Sequence, residues 1–100
     1  MLIYNVTIKI DWNIAEEWLN WMKQIHIPEV MQTGCFDKHA FLRLLEIDET
    51  EGPTYAVQYF ANSINEYNTY IATYAPLLRQ KTIDAWGNKY IAFRSLMEMV

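Results

Sequence analysis

The feature that most limits how this chain can fold is a doubled pattern. An alternating strand, a proline-interrupted helix and a second strand occur twice, offset by 51 residues. In the first copy Leu2, Tyr4, Val6, Ile8 and Ile10 share one face, with Asn5, Thr7 and Lys9 on the other. That period of two, rich in β-branched residues, predicts a half-buried strand. Asn13 followed by Glu16 reads as a capping box. Beyond it, Ala15, Trp18, Leu19, Met22 and Ile25 form one helical stripe. His26 and Ile27 form a joint, Pro28 opens a second short helix as its first residue, and Gly34 is its stop. An extended stretch runs from about Phe36 to Ile47, followed by the polar turn Asp48-Glu49-Thr50-Glu51-Gly52-Pro53.

The second copy repeats this order. Thr54 to Phe60 is strand-like, Ser63 and Glu66 repeat the capping box, and Ile64, Tyr67, Ile71 and Tyr74 mark the helix that Pro76 interrupts. A further helical piece runs through Leu78 towards Trp86 and Gly87, and Tyr90 to Val100 is the last strand. Tyr4 falls on Tyr55, Val6 on Val57, Arg43 on Arg94 and Leu45 on Leu96. Right-handed crossovers then put both helices on one face of a four-stranded antiparallel sheet. The expected class is α+β, the βαββαβ order of ferredoxin-like folds, with residues 1–100 forming one domain.

If the more apolar parity of each strand faces the helices, that side holds Tyr4, Val6, Ile8, Leu42, Leu44, Tyr55, Val57, Tyr59, Ile91, Phe93 and Met97. The opposite side holds Asn5, Thr7, Phe41, Arg43, Leu45, Ala56, Gln58, Phe60, Tyr90, Arg94 and Leu96. A face that mixes large apolar residues with arginines and amides calls for a cover, and a second copy of itself is the simplest one. Composition points the same way. A share of 52% hydrophobic residues, 15% of the chain aromatic, is more than a 100-residue monomer readily buries.

The net charge of −4 argues against a nucleic-acid binder, which needs a clustered basic face. The RNA recognition motif shares this element order, but Glu51 and Pro53 flank Gly52 where that motif wants a basic residue and an aromatic. Cys35 is the single cysteine, so neither an internal disulfide nor a multi-cysteine zinc site is expected, and a reducing cytoplasm fits. Met1-Leu2-Ile3-Tyr4 carries no basic leader, and no apolar run reaches the ~20 residues of a bilayer span. Neither a signal peptide nor a membrane partner is expected. The chain has no glycine-rich phosphate loop, serine elbow or paired catalytic carboxylates.

Several segments together resemble a known group: Ile3-Tyr4-Asn5-Val6, Trp21-Met22-Lys23 through His26-Ile27-Pro28-Glu29-Val30, Thr33-Gly34-Cys35-Phe36, Tyr55-Ala56-Val57-Gln58-Tyr59-Phe60 and Ala92-Phe93-Arg94. They cover nearly the whole chain, and it resembles the small Bacteroidetes proteins grouped as domain of unknown function 4286. That grouping implies no activity. In element order the chain is similar to the dimeric α+β barrels, in which two such sheets pack face to face. The superfamily includes cofactor-independent monooxygenases, haem-degrading enzymes, small isomerases and non-catalytic effector-binding domains. The resemblance implies a homodimer through the open sheet face, and fold alone does not fix function.

Two places could carry chemistry. His26 lies three residues before Glu29, and an imidazole oriented by a carboxylate would serve as a general base. The plainer reading, and the favoured one, has His26 capping the last carbonyls of the first helix. Two ligands are too few for a metal, and His39 lies on a separate strand, so no metal or cofactor is expected. Arg43 and Arg94, at equivalent positions on one sheet face with Asn5, Thr7 and Gln58 between them, would suit a carboxylate or phosphate. Against this stands an interface ion pair, with Glu98 close to Arg94 in sequence. Tyr4 belongs to an aromatic set that could line a pocket for a flat apolar ligand, though core packing demands the same spacing. The two functional expectations are thus a small ligand-binding or interaction module, and an oxygenase- or isomerase-like enzyme with His26 as base.

Overall fold

The computed structural model describes residues 1–100. Its strands are β1 (Leu2–Ile10), β2 (Lys38–Arg43), β3 (Thr54–Ala61) and β4 (Tyr90–Glu98). They form one antiparallel sheet in the order β2-β3-β1-β4. Between β1 and β2 lie α1 (Ala15–Trp21) and α2 (Ile27–Gln32), and between β3 and β4 lie α3 (Ile64–Thr69) and α4 (Ala75–Trp86). The fold is the ferredoxin-like βαββαβ arrangement.

Each helical pair is continuous, joined by a π segment: Met22–His26 in the first and Tyr70–Tyr74 in the second. The prolines explain why. Pro28 and Pro76 each sit second in the helix that follows, and a proline ring clashes with the carbonyl four residues back. Widening the preceding turn relieves that clash. Accordingly Ile27 donates its N–H to Met22 O, and Ala75 donates to Tyr70 O, each reaching back five residues. The expected joint at His26-Ile27 is therefore a bulge within a helix, and it rotates the helical phase. Ile25, expected on the buried stripe, is exposed as a result. The prolines are 48 residues apart, so the 51-residue offset holds for the strands but not through the helices.

Of three other local expectations, two shift. Asp11, rather than Asn13, caps the first helical turn, its Oδ1 accepting from Asn13 N at 2.8 Å. Ser63 does cap α3, and Glu66 returns the bond to Asn62 N at 3.2 Å. β2 stops at Arg43 instead of Ile47, because the turn after it folds back on β1. There Gly52, at φ 155°, passes so close to Ile10 that a Cβ would lie 1.6 Å from its carbonyl oxygen. Only glycine fits.

The core lies between the sheet and the helices. Tyr4, Ile8, Val57 and Tyr59 from the central strands meet Trp18, Met22, Val30, Tyr70 and Leu78 from the helices. Register settles which residues share a face. Val6 lies opposite both Val57 and Arg94, Tyr4 opposite Tyr59 and Leu96, and Phe41 opposite Val57. The expected faces are therefore right for β1 and β3 and inverted for β2 and β4. Phe41, Arg43, Tyr90, Arg94 and Leu96 lie on the helix side, and Phe41 packs against Trp18 and Tyr55 at 5.9 and 5.6 Å between ring centroids. Leu42, Ile91, Phe93 and Met97 lie on the open side with Asn5, Thr7, Ala56, Gln58 and Phe60. The inversion arises because both faces of this sheet are apolar, so apolarity cannot tell them apart.

No helix is long and apolar enough to cross a membrane.

Candidate functional site

A cavity opens between β1, β4 and the two bulged helices. The space open to the centre of a water-sized sphere is about 40 Å³, inside a cleft whose atom-free space, mouth included, is about 530 Å³. Tyr4, Val6, Tyr59, Ala92 and Arg94 line the sheet side, and His26, Tyr70, Leu78 and Arg79 the helix side. Met22 and His26 come from one π segment and Tyr70 from the other. Both proline-driven bulges thus contribute to the helix side of the cavity, a common use of such turns.

The polar atoms of this cavity are poorly satisfied. His26 Nδ1, Tyr59 Oη and Arg79 Nε are all buried without a hydrogen-bond partner. Buried polar groups normally find partners, so three orphans around one cavity is a concentrated deficit. Arg79 Nη2 donates to Tyr4 Oη at 3.0 Å, which fixes that guanidinium at the cavity wall. Burial pushes the Tyr59 and Tyr70 hydroxyls far above the usual phenol range, so both stay protonated.

His26 neither caps a helix end nor pairs with Glu29. Its backbone is helical, and Glu29 instead accepts from Lys81 Nζ at 2.7 Å. The ring is held by stacking on Trp21, 4.9 Å between centroids at 18°. Trp86 meets that indole edge-on at 5.7 Å. Loss of hydration lowers the imidazole pKa to about 4; Glu29 opposes that shift and Arg94 reinforces it. His26 is therefore neutral at pH 7.

The remaining expected positions separate. Arg94 joins His26 and Tyr4 at the cavity, because β4 turns the opposite parity to the helices. It makes no ion pair, with Glu98 or any other carboxylate. Arg43 is at the far edge of the sheet, bidentate to Glu49 at 2.8 and 2.9 Å, so a protein carboxylate already neutralises it. Asn5 and Gln58 face each other on the open side, where Asn5 Nδ2 donates to Thr7 Oγ1 at 3.0 Å. They do not lie between the arginines. His39 stands on β2, and no three His, Cys, Asp or Glu side chains come together as a metal site.

Sequence reasoning missed Arg79. Its signal was present: Ala75, Leu78, Arg79, Thr82 and Trp86 share one helical stripe, and a charge on a stripe without another charge needs a reason.

Comparison with solved structures gives matches along the whole chain. SnoaB, a cofactor-independent oxygenase from Streptomyces nogalater, superposes with a TM-score of 0.69 at 12% identity, over 98% of this chain and 92% of its own. A dimeric ferredoxin-like protein from an uncultured marine organism gives 0.70 at 9% identity, over 100% and 95%. An ethyl tert-butyl ether d (ethd) family protein from Bacillus halodurans gives 0.70 at 8% identity, over 100% of both chains. At these identities the likeness shows the fold. No curated protein sequence matches the chain. A family model does match, over residues 1–100, and by that match the chain belongs to the family described as a domain of unknown function, DUF4286.

Proposed function

We propose that the protein is a homodimeric α+β barrel whose helix–sheet cleft binds a small molecule. The observation that carries this reading is the set of unpartnered buried atoms, His26 Nδ1, Tyr59 Oη and Arg79 Nε, around one cavity. Water or a ligand would satisfy them, and the apolar walls favour a ligand with an apolar body. The dimer rests on the open face. Phe93, Ile91 and Leu42 are 69%, 60% and 46% exposed on the open sheet face, which a second copy would cover. A solved neighbour of the same fold is itself described as dimeric.

A thermal-shift screen of small aromatic and aliphatic compounds tests the binding reading. Hits should raise the melting temperature of the native chain, and His26→Ala or Arg94→Ala should abolish the rise. No stabilising compound, or hits indifferent to both substitutions, would contradict it. Light scattering should return twice the chain mass; a monomer mass would remove the dimer.

A second reading is enzymatic, favoured by one observation: the neutral His26 ring borders the cavity with Nδ1 free. As general base it would accept a proton from a substrate carbon or hydroxyl. The electron pair would stay on the substrate as an enolate or phenolate beside Arg94. That step opens an isomerase reaction, and equally an oxygenase reaction of the class named for SnoaB. On any substrate found, His26→Gln should lower kcat and leave KM nearly unchanged. An equal kcat would exclude His26 as the base.

A further inference from the structure

The three arginines of this acid-rich chain are treated differently. Arg43 is neutralised by Glu49, whereas Arg79 and Arg94 meet no carboxylate and line the same cavity. Both also lie near enough to Tyr70 to act on its hydroxyl electrostatically. Glu29, the helix carboxylate whose charge acts on His26, is held by Lys81. Two guanidinium groups without a carboxylate, Arg79 part-buried and Arg94 exposed, border one apolar cleft and leave a place for an anion.

We propose that the cleft takes a flat aromatic monocarboxylate, with its carboxylate between Arg79 and Arg94 and its ring against Tyr4, Tyr59 and Tyr70. This rests on the small-molecule reading and narrows it. The two coplanar oxygens of a carboxylate match the guanidinium fork, and Arg79 Nε supplies an N–H still lacking an acceptor. A phosphate dianion would require more charge and more donors than these walls hold, since most of the lining is hydrophobic. The aromatic part follows from the wall. Tyr4 and Tyr59 stack at 6.1 Å between centroids, and Tyr70 is tilted against Tyr4 at 5.8 Å, a surface suited to a flat ring.

Isothermal titration of the full chain with benzoate, benzamide and acetate tests this directly. Benzoate should bind at least about tenfold tighter than either of the others, the size of one charge-assisted hydrogen bond. Arg79→Gln and Arg94→Gln should each cost about tenfold or more, and Arg43→Gln should leave binding unchanged. If Arg79→Gln fails to fold, Arg94→Gln decides, because Arg94 lies on an edge strand. Benzamide binding as well as benzoate would overturn the anion, and acetate binding as well would overturn the ring; either leaves the small-molecule reading standing. Neutral hits in the thermal screen without benzoate binding would overturn the inference alone. Failure of both experiments would remove both readings.

Discussion

The two faces of the sheet are both apolar and do different things. The helix-covered face buries Tyr4, Ile8, Val57 and Tyr59 and keeps its polar atoms around a cavity. The open face shows Phe93, Ile91 and Leu42 around a centre of Asn5, Gln58 and Thr7. The first has unsatisfied donors and uncompensated cations at a concave site, which calls for a small ligand. The second exposes large apolar side chains around a polar centre, which suits another protein surface. Hydrophobicity alone does not separate a ligand site from a contact surface. The fate of the polar atoms does.

This contrast can be broken most sharply at the core. Trp18, 1% exposed, packs against Phe41 and Tyr55, so Trp18→Ala should cost about 4 kcal/mol in urea unfolding. A loss below about 1 kcal/mol would mean the helices are not seated as described.

Next in size is the pH dependence set by His26. In the unfolded chain the ring takes its proton near pH 6.5, whereas the folded chain keeps it neutral down to about 4. Between those values the unfolded state binds more protons, so stability falls as the pH is lowered through this window. The loss should reach roughly 3 kcal/mol by pH 4. His26→Phe, which keeps a ring against Trp21, should flatten this part of the curve in chemical denaturation at stepped pH.

On the open face, Phe93→Asp should weaken dimerisation by about 2 kcal/mol, seen in sedimentation equilibrium. Folding of the chain should be nearly unaffected, which is the opposite of Trp18→Ala. The smallest effect is at the α3 cap. Ser63→Ala should cost about 1 kcal/mol in thermal unfolding, without altering ligand binding or mass.

Most of the fold was legible because alternation and capping signals are local. β1, β3 and the Ser63 cap follow from a few adjacent residues each. The faces of β2 and β4 were not legible, since the parity rule assumes that one side is wetter, and Phe93 and Ile91 violate it. That one inversion separated Arg94 from His26 in the sequence reading, though both border the same cavity. Pro28 and Pro76 announced interruptions correctly. Whether a proline ends a helix or bulges it depends on packing that adjacent residues do not encode. The stacking of His26 on Trp21 was hidden for the same reason, because the π turn resets which residues are neighbours.

The division of labour between the faces is open to one direct measurement, a methyl-labelled NMR titration with a hit from the thermal screen. Shifts should concentrate at Ile8, Met22, Val57 and Leu78, whose side chains line the cleft, and leave Leu42, Ile91 and Met97 unmoved. Shifts centred on Leu42, Ile91 and Met97 instead would place the ligand on the open face and contradict the account.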